Sequence, residues 1–242
     1  MTDQRLLRKM IDEQLLANLN QVRARIAAAA TRYGRDAHAV HLLAVSKGHS
    51  ADSVRCLAQH GQTDFGENYL QEALPKIASL SDLPLTWHYT GQLQSNKTRP
   101  VAEHFHWVHT VDRERIAIRL NEQRPHHAAP LNVCLQILLC EEPGKGGIPP
   151  QQAAALATQI RALSRLKLRG LMCIPPATDD FDQQRAWFEQ LASCLRDLNA
   201  QGFALDTLSM GMSGDLEAAV AAGATWVRVG TAVFGDRARV MT

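Results

Sequence analysis

The feature that most constrains this chain is an alternation of short apolar runs with longer amphipathic stretches, repeated from residue 41 to residue 229. Short apolar runs bounded by glycine or polar residues are typical of buried parallel strands, and the intervening stretches have helical spacing. The predicted strands are 41–46, 63–65, 85–89, 107–110, 131–139, 168–172, 207–210 and 226–229. The predicted helices are 51–60, one that ends near 79, 96–103, 112–123, 149–164, 179–199 and 213–222.

Strands that alternate with helices in this way indicate βαβ units and a parallel sheet. Eight such units in 242 residues have the size of a (β/α)8 TIM barrel. A doubly wound open sheet is the alternative, but no GxGxxG motif follows the first strand. A further amphipathic helix is predicted at 4–31, and no linker or repeat divides the chain. We therefore expect one α/β domain over 1–242, a TIM barrel with an extra N-terminal helix.

Composition excludes several classes of function. The chain has 26 basic and 24 acidic residues and a formal charge of +2, which favours neither nucleic acid nor a membrane surface as a partner. Its five cysteines form no CxxC pair, so neither a disulfide framework nor a thiolate zinc site is predicted. Charged residues interrupt the N-terminal segment, which is unlike a signal peptide. We expect a cytoplasmic protein in a reducing compartment.

Lys47 directly follows the first predicted strand, whose last four residues before Ser46 are apolar. In a TIM barrel the carboxyl ends of the strands form the functional face. Burial of an ammonium there would lower its pKa, and a neutral amine is a nucleophile toward an aldehyde. The alternative is an ordinary strand-end lysine whose ammonium extends into solvent.

The loops after the seventh and eighth strands resemble a phosphate site. Ser213 begins a predicted helix, where unpaired N–H groups favour an anion, and Gly230 and Thr231 offer close backbone approach with a hydroxyl. In this fold these two loops commonly bind phosphate. The alternatives are that Ser213 is only a helix cap and Gly230 only a turn residue. Asp215 and Glu217 weaken the prediction, because their negative charges already compensate the positive end of the helix dipole.

Arg228 lies between Val227 and Val229 in the last strand, so it faces the opposite side from both valines. If the valines face the helices, Arg228 faces the barrel mouth; in the other register it would pair with a carboxylate on a helix. An amine at Lys47, a phosphate site and an arginine in one space together suggest pyridoxal 5′-phosphate. Because arginine keeps its proton, it would donate to an unprotonated ring nitrogen, which disfavours carbanion chemistry.

The histidines near the fourth strand are His104, His106 and His109. Their spacing matches no common metal-ligand pattern, and we expect them to be solvated or at an end of the barrel. No metal site is predicted.

The sequence resembles the pyridoxal-phosphate homeostasis proteins, relatives of the N-terminal barrel domain of alanine racemase. The motifs that carry the resemblance are LLAVSK at 42–47, FGENYLQE at 65–72, WHYTGQLQSNK at 87–97, RGLM at 169–172, LSMGMS at 208–213 and VRVGTAVFG at 227–235. They extend from the first strand to the last.

The resemblance implies that Lys47 binds pyridoxal 5′-phosphate covalently as a Schiff base. The further residues that it implies for cofactor binding are Ser213, Gly230 and Thr231 at the phosphate, Arg228 at the ring nitrogen, and Asn68 and Met210 near the ring. This chain departs from the family at His49, where many members carry a second lysine.

The family's described role implies a non-catalytic carrier that acts in vitamin B6 homeostasis and passes the cofactor to dependent apoenzymes. We expect it to be a monomer. The alternative is an amino-acid racemase, which needs a base on each face of the cofactor. In alanine racemases the second base is a tyrosine from an additional domain; the tyrosines here are Tyr33, Tyr69 and Tyr89.

Overall fold

The eight strands close into one parallel barrel in the order of the chain, in a computed structural model that describes residues 3–140 and 144–236. The strands are β1 (His41–Val45), β2 (Asp64–Glu67), β3 (Thr86–Tyr89), β4 (Trp107–Val111), β5 (Leu131–Gln136), β6 (Leu166–Met172), β7 (Thr207–Ser209) and β8 (Trp226–Val229). Strand β8 pairs with β1, so that Arg228 lies opposite Leu43 and the sheet closes. The predicted (β/α)8 barrel is confirmed.

Helices surround the barrel. Within the described residues they are α1 (Asp3–Arg32), α2 (Ala51–Gln59), α3 (Leu70–Ser79), α4 (Thr98–His104), α5 (Glu114–Gln123), α6 (Ala153–Arg161), α7 (Phe181–Ala200), α8 (Leu216–Ala221) and α9 (Thr231–Phe234). Local sequence explains where they begin. Ser50, for example, caps α2 by accepting a hydrogen bond from the backbone N–H of Ser53. None of the described helices is long and apolar enough to cross a membrane.

Several boundaries differ from the prediction by a few residues, and for two of them the structure shows the reason. Strand β5 ends at Gln136 rather than 139, because the next residue, Ile137, forms a bridge with Ile148 of its own loop. Helix α8 begins at Leu216, so Ser213 does not begin a helix as predicted. The side chain of Asp215 accepts the backbone N–H of Met212 and holds 212–215 in a turn before the helix.

Alternation along the strands separates two cores. In β1, Leu42 and Ala44 belong to the core between barrel and helices, whereas a Cβ at Gly66 would contact the inward side chains of Leu43 and Val45. The barrel interior also contains the apolar cluster of Trp107, Cys134 and Met172. Every second residue of a strand, such as Leu43 and Val45 in β1, therefore points into the barrel. This alternation determines which side chains reach the mouth of the barrel.

Helix α1 packs against both α8 and α9. Its buried face consists of Leu15, Leu19, Val22, Ile26, Ala29 and Ala30. Two of its polar side chains reach the loops beyond β7 and β8: Arg25 donates to the carbonyl oxygen of Ser213, and Asn18 donates to that of Val233. The extra N-terminal helix thus braces both loops that the sequence predicts to bind phosphate.

Candidate functional site

Lys47 lies just beyond the carboxyl end of β1, two residues after the inward-facing Val45. Continuing the alternation places its side chain at the barrel mouth, where it is partly buried. It lines a cavity of about 320 Å³. The lining residues are Val45, Lys47, Asn68, Thr90, Ile174, Met212, Ser213, Gly214, Arg228, Gly230 and Thr231.

Six of the seven residues predicted for the site meet in this cavity; the exception is Met210. The side chain of Met210 is fully buried in the core shared with the helices. Met212, two residues further on, lines the cavity instead and is partly exposed to solvent. The side chain of Met210 therefore does not line the cavity, and a place for it near the cofactor ring stays a prediction.

Arg228 lies inside the barrel mouth, and Val227 and Val229 pack outward against the helices, as the alternation predicts. Arg228 as a whole residue is 5 % exposed. It donates from Nη1 to the hydroxyl of Ser209 and from Nη2 to the carbonyl oxygen of Cys173, both at 2.9 Å. Burial lowers the pKa of Arg228, yet an arginine remains a cation at neutral pH. Both acceptors are neutral, so neither of them offsets the positive charge of the guanidinium.

The predicted phosphate-binding groups form one wall of the cavity. Ser213 and Gly214 come from the turn before α8, and Gly230 and Thr231 come from the start of α9. A Cβ on Gly230 would lie 3.3 Å from the carbonyl oxygen of Val45, so glycine permits the close approach of this loop to β1. Because α8 begins only at Leu216, Ser213 and Gly214 contribute from a turn, and only Gly230 and Thr231 lie at the start of a helix, the short α9.

The acidic residues beside this wall are already engaged. Glu217 pairs with Arg25 of α1 at 2.9 Å, and Asp215 accepts the N–H of Met212. Burial raises the pKa of Asp215, against the opposing effects of that hydrogen bond and of the Arg228 charge. Repulsion of an anion by these two carboxylates is therefore reduced.

Asn68 enters the cavity from the end of β2. Its side-chain oxygen accepts a hydrogen bond of 2.8 Å from the hydroxyl of Thr90, which also lines the cavity. Gly91 passes so close that an added Cβ would lie 2.2 Å from the backbone oxygen of Asn68. Only a residue without a side chain can occupy position 91 without displacing this part of the site.

A buried ion pair between Lys76 and Glu67 connects the ends of β1 and β2 to α3. Lys76 donates to Glu67 at 2.5 Å and to the carbonyl oxygen of Ser46 at 2.8 Å. Glu67 also accepts the Ser46 hydroxyl at 2.5 Å. Burial raises the pKa of Glu67, and the charge and hydrogen bond of Lys76 oppose that rise. The pair fixes the residues that immediately precede Lys47 and Asn68.

Sequence reasoning missed several contributors. Ser209 and Cys173 were not anticipated as partners of Arg228, although their positions at the ends of neighbouring strands were a usable signal. The expectation for His109 was wrong: it is fully buried inside the barrel. The other two histidines, His104 and His106, are exposed. Among the described residues no group of three His, Cys, Asp or Glu side chains could hold a metal ion.

A second cavity of about 520 Å³ adjoins the first and shares Asn68 with it. Tyr69, Tyr89 and Lys97 are among its lining residues. Burial raises the pKa of Tyr89 to about 12. The tyrosines therefore lie beside the Lys47 cavity rather than in its lining.

Comparison with known proteins identifies the family to which this barrel belongs. The family described as "Alanine racemase, N-terminal domain" matches residues 17–238. An alanine racemase of Clostridium difficile 630 has the same fold, with a TM-score of 0.70 at 14% identity over 91% of this chain and 56% of that one. At that identity the likeness concerns the fold alone.

Relatives of higher sequence identity define the family more specifically. The pyridoxal phosphate homeostasis protein of Pseudomonas aeruginosa is 57% identical over 220 residues, covering 91% of this chain and 94% of the relative. That of Escherichia coli K12 is 49% identical over 223 residues, covering 91% and 95%. PipY of Synechococcus elongatus, solved with PLP bound, superposes with a TM-score of 0.76 at 41% identity over 87% of this chain and all of PipY. This chain belongs to the pyridoxal phosphate homeostasis protein family.

Proposed function

We propose that this chain binds pyridoxal 5′-phosphate as a Schiff base on Lys47 and holds it, without catalysing a reaction, as part of cellular vitamin B6 homeostasis. The observation that carries the proposal is the common cavity of Lys47, Arg228 and the wall of Ser213, Gly230 and Thr231. These groups match the aldehyde, the ring nitrogen and the phosphate of the cofactor. The names of the relatives and the PLP-bound PipY structure support the same ligand.

The covalent bond requires no further reactant. The neutral amine of Lys47 adds to the aldehyde carbon, and water then leaves, so that a C=N bond replaces the C=O bond. Both amine hydrogens depart with the aldehyde oxygen. The partly buried position of the lysine at the mouth of the barrel leaves a path for release of the cofactor. A carrier that serves apoenzymes needs such a path.

The lining of the cavity supports a non-catalytic role over the racemase alternative. Among the described lining residues only Lys47 and Arg228 carry titratable side chains. Arginine is a poor base because it does not release its proton in proteins. Racemisation needs a second base opposite the lysine, and Tyr69 and Tyr89 line the neighbouring cavity instead. Arg228 also keeps the ring nitrogen unprotonated, which weakens the cofactor as an electron sink.

The test is spectroscopic titration of the purified protein with pyridoxal 5′-phosphate. Wild type should develop the visible absorption of a protein-bound imine at a one-to-one ratio. Lys47→Ala should not, whereas Lys97→Ala, which removes a lysine from the adjoining cavity, should behave as wild type. Equal spectra for wild type and Lys47→Ala would reject the covalent proposal. Incubation of the loaded protein with L-alanine provides the second test, since sustained formation of D-alanine would reject the non-catalytic role.

A further inference from the structure

A continuous chain of side-chain hydrogen bonds crosses the barrel interior and ends on Arg228. It begins at Asp64, the first residue of β2, whose Oδ1 lies 3.1 Å from Nε2 of His88. Nδ1 of His88 lies 2.9 Å from Nε2 of His109, and Nδ1 of His109 lies 2.7 Å from the hydroxyl of Ser209. The same hydroxyl accepts Nη1 of Arg228 at 2.9 Å. The chain therefore connects the amino-terminal end of the barrel to its functional end.

The charges at the two ends give this chain one direction. Burial alone would raise the pKa of Asp64, but the hydrogen bonds that its carboxylate accepts, first of all from His88, act in the opposite direction, and the net pKa lies below the usual value. An ionised carboxylate only accepts, so Nε2 of His88 carries the hydrogen. Burial lowers the pKa of His88, against the opposing effect of the hydrogen bond that His88 donates to the Asp64 carboxylate. Burial lowers the pKa of His109 well below its usual value, with the charge of Arg228 acting in the same direction, so both rings are neutral.

Neutral rings leave one consistent pattern. Nδ1 of His88 accepts from Nε2–H of His109, and Nδ1 of His109 accepts from the hydroxyl of Ser209. The proton of Ser209 thus points away from Arg228, and the oxygen lone pairs face the guanidinium. The reverse pattern would bring an imidazole lone pair against the Asp64 carboxylate, which is unfavourable at 3.1 Å.

The aromatic surroundings hold the first ring in place. His88 stacks on Trp107, with ring centroids 5.4 Å apart and planes 7° from parallel, and Trp226 lies against it at 4.9 Å. His88, His109 and Ser209 are all fully buried. Close-packed interiors leave little space for a ring to turn over, so the direction of the chain is maintained by packing as well as by charge.

We propose that Ser209, His109, His88 and Asp64 act together as positioning residues for Arg228, holding its guanidinium toward the ring nitrogen of the ligand. The proposal deepens the proposed function and rests on it for the identity of that ligand. Within the described residues the guanidinium of Arg228 donates to two acceptors, the carbonyl oxygen of Cys173 and the hydroxyl of Ser209. Only the hydroxyl belongs to the row of hydrogen bonds that begins at Asp64. Loss of that acceptor should leave Arg228 buried but less well directed.

The first test needs no ligand. Nitrogen-15 NMR of the imidazole rings in cofactor-free wild type at neutral pH reports which ring nitrogen carries the hydrogen. His88 and His109 should both be neutral and protonated at Nε2. A hydrogen on Nδ1 of His109, or a doubly protonated ring at either position, would overturn the proposed direction. This result is independent of whether the protein binds pyridoxal 5′-phosphate.

The second test separates positioning from general packing by means of two ligands. One is pyridoxal 5′-phosphate, and the other is its analogue with a ring C–H in place of the pyridine nitrogen. The ratio of their affinities isolates the contact with Arg228. In Ser209→Ala the preference for the nitrogen-containing ligand should fall by about fivefold, the value of one ordinary hydrogen bond. Ser209→Thr, which keeps the hydroxyl, should retain it.

Asp64→Leu tests the far end of the chain, and Asp206→Leu is its matched control. Asp206 is a carboxylate immediately before β7 that pairs with Arg169. Among the described residues it makes no hydrogen bond to His88, His109 or Ser209. The preference should fall in Asp64→Leu and stay unchanged in Asp206→Leu. An unchanged preference in both Ser209→Ala and Asp64→Leu would overturn the proposal. Failure of wild type to bind either ligand would instead reject the proposed function.

Discussion

The buried pair of Lys76 and Glu67 should be one of the most sensitive points for stability in this chain. Both side chains are nearly or fully buried, and the ammonium and carboxylate are 2.5 Å apart. Removing one partner of such a pair costs about 3–5 kcal/mol, because the other charge stays buried without compensation. For a chain of this length that corresponds to a fall in melting temperature of roughly 10 °C. Lys76→Met should therefore lose about 3–5 kcal/mol at neutral pH.

The loss of stability in Lys76→Met should increase as pH rises, because the buried Glu67 then ionises without its partner. Burial already raises the pKa of Glu67, and loss of the Lys76 charge removes the main opposing effect. A carboxyl group whose folded pKa exceeds its unfolded pKa contributes stability at low pH and loses it as pH rises through the folded pKa. Lys76→Met should accordingly be least destabilised in mild acid and most destabilised at neutral pH.

Urea unfolding of the cofactor-free protein, followed by circular dichroism, measures these changes. The double variant Glu67→Gln/Lys76→Met should recover most of the loss, since no buried charge remains. Lys9→Met is the matched control, because the pair of Lys9 and Glu13 is exposed and should contribute little. A single variant Lys76→Met as stable as Lys9→Met, or a double variant no better than the single, would refute the reasoning.

Three other perturbations have defined outcomes. Burial keeps His109 neutral and its folded pKa below the unfolded value near 6.5, so the protein loses stability as pH falls. Between pH 7.5 and 5.5 the loss from this residue is about 1.4 kcal/mol. His109→Gln should remove that part of the pH dependence. Gly91→Ala should lower both stability, by about 1–3 kcal/mol, and affinity for pyridoxal 5′-phosphate, because its Cβ would displace Asn68. Ser50→Ala should cost about 1 kcal/mol without altering ligand affinity. Denaturant titrations and ligand titrations measure all three, and a pH-independent His109 contribution or a neutral Gly91→Ala would contradict them.

Much of the barrel could be predicted from the sequence because the strands are short, apolar and separated by helices of regular period. Alternation predicted that Arg228 faces away from Val227 and Val229 but left two registers open, and the packing of both valines in the core shared with the helices selects the one with Arg228 inward. The family resemblance supplied Asn68, which no local pattern indicated. Six of the seven predicted site residues line one cavity.

The remaining features depend on contacts that no local pattern contains. Helix α8 starts late because Asp215 folds back onto Met212, a choice between helix and turn that the composition of 213–222 leaves open. Lys76 resembles any charge on an amphipathic helix, and only the position of Glu67 at the end of β2 makes it a buried ion pair. Met210 was assigned to the ring by family resemblance, whereas its neighbour at 212 is the one at the cavity.

The interior hydrogen-bond chain was also beyond sequence reasoning. Its members come from β2, β3, β4 and β7, and their contacts depend on the register between strands. Gly66 pairs with His88, and His88 pairs with Trp107, so neighbouring strands are offset along the barrel axis. A histidine such as His109 in an apolar strand has several possible environments until that register is known.

Chemical trapping gives the most direct test of the central claim, that one lysine at the end of β1 forms the bond to the cofactor. The loaded protein is treated with borohydride, which converts an imine to a stable amine, and is then digested and mapped by mass spectrometry. We expect a single pyridoxyl phosphate adduct, on Lys47. An adduct confined to another lysine, such as Lys97 of the adjoining cavity, or no adduct in a protein that binds the cofactor, would contradict it.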